Sequence, residues 1–131
     1  MLTRDVDAFL TLAASLPTDA GPSCAKSVFL ISPDGFRLSE QSATDNRYMR
    51  LEQPTDALVA MSEHHALQLE IGKVCPVICF PGAQSTPDAV FPNNVFATVP
   101  GRLSIGHMRH PVRQEETRRP DSRGFFADTL G

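Results

Sequence analysis

Three cysteines, four histidines and one pair of adjacent asparagines are the side chains from which nucleophilic, acid–base or amide-recognition chemistry could arise. Cys75 and Cys79 fall in a segment, Val74 to Phe80, that reads as a buried strand. There they would share a face roughly 13 Å apart at about 3.3 Å per residue. A disulfide needs its Cα atoms within about 7 Å, and a straight strand cannot bring both thiols to one tetrahedral zinc. Both therefore read as core thiols. Cys24 precedes a strand in a linker, with no basic partner fixed beside it. His64 and His65 are neighbours on a predicted helix and diverge by about 100°, so they do not chelate. His107 and His110 straddle a strand end beside Pro111, where a surface position is the plain reading and proton transfer the alternative. A catalytic Cys–His pair needs thiolate and imidazole within hydrogen-bond reach. Nothing in the spacing argues for one.

Asn93-Asn94 is different. It follows Pro92, which stops regular structure, and precedes the β-branched and aromatic run Val95-Phe96-Ala97-Thr98. Each asparagine offers one carbonyl acceptor and an NH2 with two donors. Two amides fixed at a strand entrance could read the edge of a planar amidino or ureido group. The competing reading is an Asx-turn, with Asn93 bonding its own backbone.

The elements that must position these residues alternate between helix and strand. Thr3 can cap a helix over roughly 4–16, in which Val6, Phe9, Leu10 and Ala13 recur on one face until Pro17. Residues 18–23 read as a linker. Ser27 to Ser32 is a short apolar run closed by Pro33-Asp34-Gly35, a buried strand and its turn. Residues 36–50 lack periodicity and form a long, polar loop, of the kind that is functional or mobile. A helix is predicted over about 55–71, with Leu58, Met61, His65 and Leu69 near one face and Gly72 as its stop. The strand Val74 to Phe80 ends at Pro81-Gly82. A hairpin follows, roughly 95–99 and 102–108 around Pro100-Gly101. Pro111 can start a helix that Pro120 must break or restart. Phe125, Phe126 and Leu130 make a helix face in need of a packing partner.

Composition bounds the rest. The 131 residues, 41% hydrophobic and 21% charged, suffice for one domain or a piece of a larger one. A net charge of -3 gives no electrostatic case for nucleic acid or an anionic membrane. Arg109, Arg113, Arg118, Arg119 and Arg123 are interleaved with Glu115, Glu116, Asp121 and Asp128, which reads as a solvated helix face. No apolar run approaches the roughly 20 residues that span a bilayer, and the N-terminus lacks the form of a signal peptide. The odd cysteine count suggests no disulfide framework. The default location is a reducing cytoplasm.

The stretch Asp88-Ala89-Val90-Phe91-Pro92-Asn93-Asn94-Val95-Phe96, with the strand Gly101 to Met108 and Pro111-Val112-Arg113-Gln114-Glu115 after it, resembles the amidinotransferase, or guanidino-modifying, superfamily. The likeness is greatest to its arginine-deiminase-related branch, which includes citrulline hydrolases. Val28 to Arg50, with Asp45-Asn46-Arg47-Tyr48-Met49-Arg50, is similar to the first strand and loop of that branch. The resemblance implies a fivefold pseudo-symmetric α/β propeller (pentein-like), of which this chain would hold about the first one and a half to two repeats. Residues 1–23 would be an N-terminal helix and linker, 24–82 a first repeat and 83–131 an incomplete second one, together a single partial domain.

It also implies a covalent mechanism, with a cysteine attacking a guanidinium or ureido carbon and a histidine as general acid/base. Neither position of that pair falls on a cysteine or histidine of this chain. The expectation is an N-terminal segment that supplies substrate-binding groups but no catalytic residue and is inactive alone. Those groups are Asn94, Asn93, Asn46 and Arg113, the last for a substrate carboxylate or as support for the loop. The ligand would be a small guanidino or ureido amino acid, with no cofactor and no metal. Related arginine deiminases and dimethylarginine hydrolases carry an aspartate where Asn94 falls. A neutral amide there suits a neutral ureido group, because no charge is left uncompensated. The rival expectation is a non-catalytic binding or self-association module, a possible homo-oligomer, on the same scaffold. A small independent enzyme using His107 or His110 with Cys79 is a third.

Overall fold

The computed structural model describes residues 5–15, 24–49, 52, 55–99 and 102–130. Two strands of β-branched and aromatic residues, β1 (Val28–Ile31) and β2 (Val77–Phe80), pair in parallel with Val28 opposite Val77 and Ile31 opposite Phe80. A parallel pair needs a long crossover, and the chain between them carries α2 (Glu40–Ala43) and α3 (Ala57–Gly72). The exits of both strands are clasped together. Gly35 has φ +76°, and a Cβ there would lie 2.7 Å from the Gln84 Cα. At Gly82 a Cβ would lie 2.3 Å from the Ser32 carbonyl oxygen, so only glycine fits. The Gly82 amide donates to Ser32 Oγ (3.1 Å) and Asp34 Oδ2 (3.2 Å), and the Ser32 hydroxyl donates to the same carboxylate. That hydroxyl, helped by the Gly82 amide, holds Asp34 below the ordinary carboxylate range.

Helix α3 begins at Asp56, whose Oδ1 accepts from the amides of Leu58 (2.9 Å) and Val59 (3.2 Å). Its inner face is not the one predicted. Leu58, His65 and Leu69 are exposed, while His64 is buried and Ala60, Met61, Gln68 and Ile71 are half-buried. Apolar residues occur all round this helix, so their spacing did not single out a side. His64 Nδ1 is 2.9 Å from the Gln68 amide nitrogen, and its Nε2 is buried with no hydrogen-bond partner among the described residues. Burial lowers the His64 pKa, against the opposing influence of the Ile31 main chain and Asp34. The helix closes in a turn in which the amides of Val74 and Cys75 both return to the Ile71 carbonyl. Cys75 therefore lies in that turn, not on β2 with Cys79, and both thiols are free.

At the N-terminus, α1 (Val6–Ala14) has Asp5 accepting from the Ala8 amide at 2.8 Å; Thr3 lies outside the described residues. Val6 and Leu10 are exposed. The unpatterned stretch 36–50 contains α2, capped by Ser39, whose Oγ accepts from the Ser42 amide at 3.3 Å. The hairpin is β3 (Phe96–Val99) with β4 (Arg102–Ile105), antiparallel, and its Pro100-Gly101 turn lies outside the described residues. Then α4 (Pro111–Glu116) stops and α5 (Pro120–Leu130) starts afresh, as a proline at 120 requires.

The core joins these parts through edge-to-face phenylalanines. Phe29 of β1 meets Phe126 of α5 at 4.8 Å between ring centroids and Phe96 of β3 at 6.1 Å; Phe80 of β2 meets Phe125 at 5.6 Å. Pairs of this kind contribute about 0.5–1.5 kcal/mol each beyond their burial. Phe125 and Phe126 thus find their packing partner inside the chain. The whole is a mixed α/β arrangement.

Candidate substrate-binding site

The amide pair sits on a turn gripped from both sides. Before it, the Ala89 amide bonds the Thr86 carbonyl (3.0 Å) and the Phe91 amide bonds the Asp88 carbonyl (3.0 Å), and residues 86–89 are buried. Pro92–Asn94 forms one 3₁₀ turn, closed by the Asn94 amide on Phe91 (3.1 Å) and the Val95 amide on Pro92 (2.9 Å). After it, Val95 and Phe96 are core residues, 2% and 5% exposed, and the Gly106 amide donates to the Val95 carbonyl at 2.7 Å. Between these anchors Asn93 and Asn94 are exposed. Asn93 Nδ2 approaches Asn94 Oδ1 at 3.4 Å, so the pair is linked side chain to side chain in place of an Asx-turn.

Behind the turn lies a buried charged network that the sequence reading did not anticipate. Asp88, 3% exposed, accepts from the Ser42 hydroxyl of α2, which ties the first loop to the motif. Glu116, 1% exposed, holds Arg113 in a two-pronged pair, Nε to Oε1 and Nη2 to Oε2, both 3.0 Å. Burial raises the Glu116 pKa and the nearby Asp88 carboxylate adds to the effect, while Arg113 and Arg119 oppose it. Arg119 in turn bonds Asp121 and the Pro81 carbonyl. Burial alone would raise the Asp121 pKa, but the Arg119 guanidinium and the Ser122 amide outweigh it and lower it. The arginine-rich run is a solvated face only in part: Arg109, Arg118 and Arg123 are exposed, whereas the side chains of Arg113 and Arg119 are 11% and 12% exposed.

The loop that carries Asn46 is pinned to the same region. Asp45 accepts from Arg109 Nη1 at 2.9 Å and sits 2.7 Å from His110 Nε2, immediately before α4. Asn46 is exposed, and its Oδ1 accepts from the Tyr48 amide at 3.1 Å. So the fold brings Asn93 and Asn94 together and fastens the Asn46 loop to the approach of α4. Arg113 is turned inward on Glu116. The sequence did carry signals for the missed pair: an acid among apolar neighbours at 88, and Arg113-x-x-Glu116 at helical spacing.

Burial raises the Cys79 pKa, with Asp34 adding to it, and its Sγ contacts the Phe80 carbonyl at 3.7 Å. No cysteine is hydrogen-bonded to a histidine among the described residues, and none of their His, Cys, Asp and Glu side chains gather as a metal site. No helix among them is long and apolar enough to cross a membrane.

A family model for eukaryotic N,N-dimethylarginine dimethylhydrolase matches residues 32–126, from the exit of β1 to the aromatic face of α5. The chain belongs to that family. It is a branch of the amidinotransferase, or pentein, superfamily, the one expected from the asparagine motif. The matched segment includes the clasped strand exits, the amide turn and the buried network. Neither curated proteins nor solved structures yield a match.

Proposed function

We propose that this chain binds the planar end of an arginine-derived amino acid, with Asn94 as the principal contact and Asn93 beside it. The family's name is that of a hydrolase of N,N-dimethylarginine, and this chain would serve that chemistry by holding the ligand. Asn46 stands on the loop that Asp45 fastens nearby. Arg113 acts here as support, because its guanidinium is committed to Glu116. Cys79 is not the nucleophile on this reading, since a raised pKa and the lack of an imidazole partner among the described residues both oppose its attack. The matching family favours a pentein propeller in which residues 24–82 and 83–131 are successive units.

The observation that carries this reading is the exposed amide pair on a turn held by buried residues at both ends. Asn94 is neutral, so a neutral ureido group is the better ligand: it brings no charge that the amide leaves unpaired. Titration of the 131-residue chain by NMR should show citrulline binding more tightly than asymmetric dimethylarginine. Asn94→Ala should weaken citrulline about tenfold, the worth of one good hydrogen-bonding contact. Asn94→Asp should reverse the preference toward the cation. Equal affinity for both ligands in wild type and Asn94→Asp would sink the assignment.

A second reading, a self-associating module, has one observation in its favour. Ile78 is exposed in the wall of an apolar cleft of 370 Å³ that Phe29, Val77 and Phe125 also line. Sedimentation at micromolar concentration decides it: a dimer abolished by Ile78→Asp supports the module, and a monomer rejects it.

A further inference from the structure

The outer side of α3 is largely apolar and uncovered. At about 100° per residue, Leu58, Leu69, Ser62, Ala66 and Val59 lie about 120–220° round the helix from the buried His64. All five are exposed, and Leu58, Val59 and Leu69 are half exposed or more. Val59, Ser62, Ala66 and Leu69 recur at spacings of three, four and three, the seam along which two helices pack. Small residues occupy the middle of that seam and larger ones its ends, so a second helix can approach closely. One edge of the seam is acidic. Asp56, Glu63 and Glu70 follow at seven-residue intervals along it, whereas the other edge, with His65 and Gly72, has no carboxylate. Asp56 is engaged as the helix cap and Glu70 pairs with Lys73 at 2.6 Å. Glu63 has no ion-pair partner among the described residues.

We infer that this face of α3 is a docking surface for a basic amphipathic helix of a partner protein. The partner's apolar stripe lies on Val59, Ala66 and Leu69, and its lysines or arginines run along the Asp56–Glu63–Glu70 edge. Charge selects this occupant over the alternatives. A second copy of α3 laid antiparallel would set two acidic edges against each other, and one laid parallel would set Lys73 on Lys73. An anionic bilayer would be repelled by the same carboxylates. A basic helix meets the seam and the acidic edge together. At 1.5 Å per residue the 16-residue helix offers a contact about 24 Å long, a small interface of the weak, reversible class.

The test is an NMR titration of the 131-residue chain with two synthetic helical peptides of α3's length. Both carry the same leucine stripe, and the polar face is lysine in one and glutamate in the other. The lysine peptide should shift the amides of residues 57–73 and bind at least about tenfold more tightly than the glutamate peptide. Leu69→Asp should abolish the shifts, although it adds a charge that attracts lysine, so the loss reports the seam and not general electrostatics. Leu69 is exposed, and a circular-dichroism melt checks that the variant stays folded. The double change Glu63→Lys with Glu70→Lys leaves the seam intact and should reverse the preference between the peptides. Shifts centred outside 57–73, equal affinity for the two peptides, or unchanged binding in Leu69→Asp would overturn the inference. So would a dimer of the chain alone that Leu69→Asp dissociates, because the face would then pair with itself.

Discussion

The two halves of the molecule solve burial in opposite ways. Around β1, α3 and β2 the strands bury apolar rings, and polar groups gather at the strand exits, where Ser32, Asp34 and Gly82 close a small hydrogen-bonded clasp. Around the amide turn Val95 and Phe96 are buried as well, but charged groups are buried beside them: Asp88 and Glu116, with Arg113 and Arg119 nearly so. Apolar packing is non-directional and tolerates small shifts. A two-pronged guanidinium–carboxylate pair fixes both distance and angle. The comparison teaches that position near the candidate site is set by ion pairing, at the cost of desolvating charge, while the remainder of the fold is set by rings.

The sharpest way to break that contrast is Glu116→Ala. It leaves Arg113 buried without its partner and should cost about 3–5 kcal/mol in urea unfolding. The double variant with Arg113→Ala should cost less than the sum of the two single changes, because each single change already abolishes the pair. Single costs near zero would mean the pair is solvated and the contrast false.

A smaller effect separates the halves by pH. The folded His64 pKa lies below its ordinary value of 6.5, so its contribution is complete above 6.5 and is lost as pH falls toward the lowered value. Asp34, also lowered, acts in the same sense but only below 3.8. Glu116, raised, acts in the opposite sense: its contribution is present at low pH and lost as pH rises through its folded value. Comparing wild type with His64→Gln between about pH 5 and 7 isolates the histidine. The variant should lose the decline in stability on the acid side of 6.5, and an unchanged slope would mean His64 is not protected from protonation.

The smallest effect should come from Asp45→Asn. Asp45 and Arg109 are 40% and 77% exposed, a setting in which such pairs contribute about 0–1 kcal/mol. Global stability should hardly change, while hydrogen exchange of residues 44–49 should rise because the loop loses its tether. A large fall in overall stability would place this pair with the buried network.

What was legible in the sequence follows local rules. β1, the hairpin, the restart at Pro120 and the amide turn were marked by apolar runs and prolines, which act within a few residues. The inner face of α3 was misjudged because Leu58, Val59, Leu67 and Leu69 surround the helix, and only contact with the strand exits selects His64. Cys75 was misplaced because the helix ends by curling back on Ile71, which delays the strand past Pro76. α2 was missed because four residues do not make a periodicity. The Ser42–Asp88 contact joins residues 46 apart, and no local pattern encodes it. The family motif pointed to the turn, but the charges beneath it became visible only in three dimensions.

The register that sets Val28 against Val77 also orders events in time. Hairpin β3–β4 needs only a short loop closed, and such hairpins form in about 1–10 μs. The parallel pair must wait until the whole α2–α3 segment has been reeled in, and long closures carry their entropy before any contact repays it. The amide turn is therefore built next to the early hairpin, while its backing from Ser42 arrives with the late strand pair. In refolding from denaturant, the surface that would meet ligand is expected to form in outline before the scaffold behind it is locked, whereas in synthesis β1 and β2 emerge ahead of the hairpin.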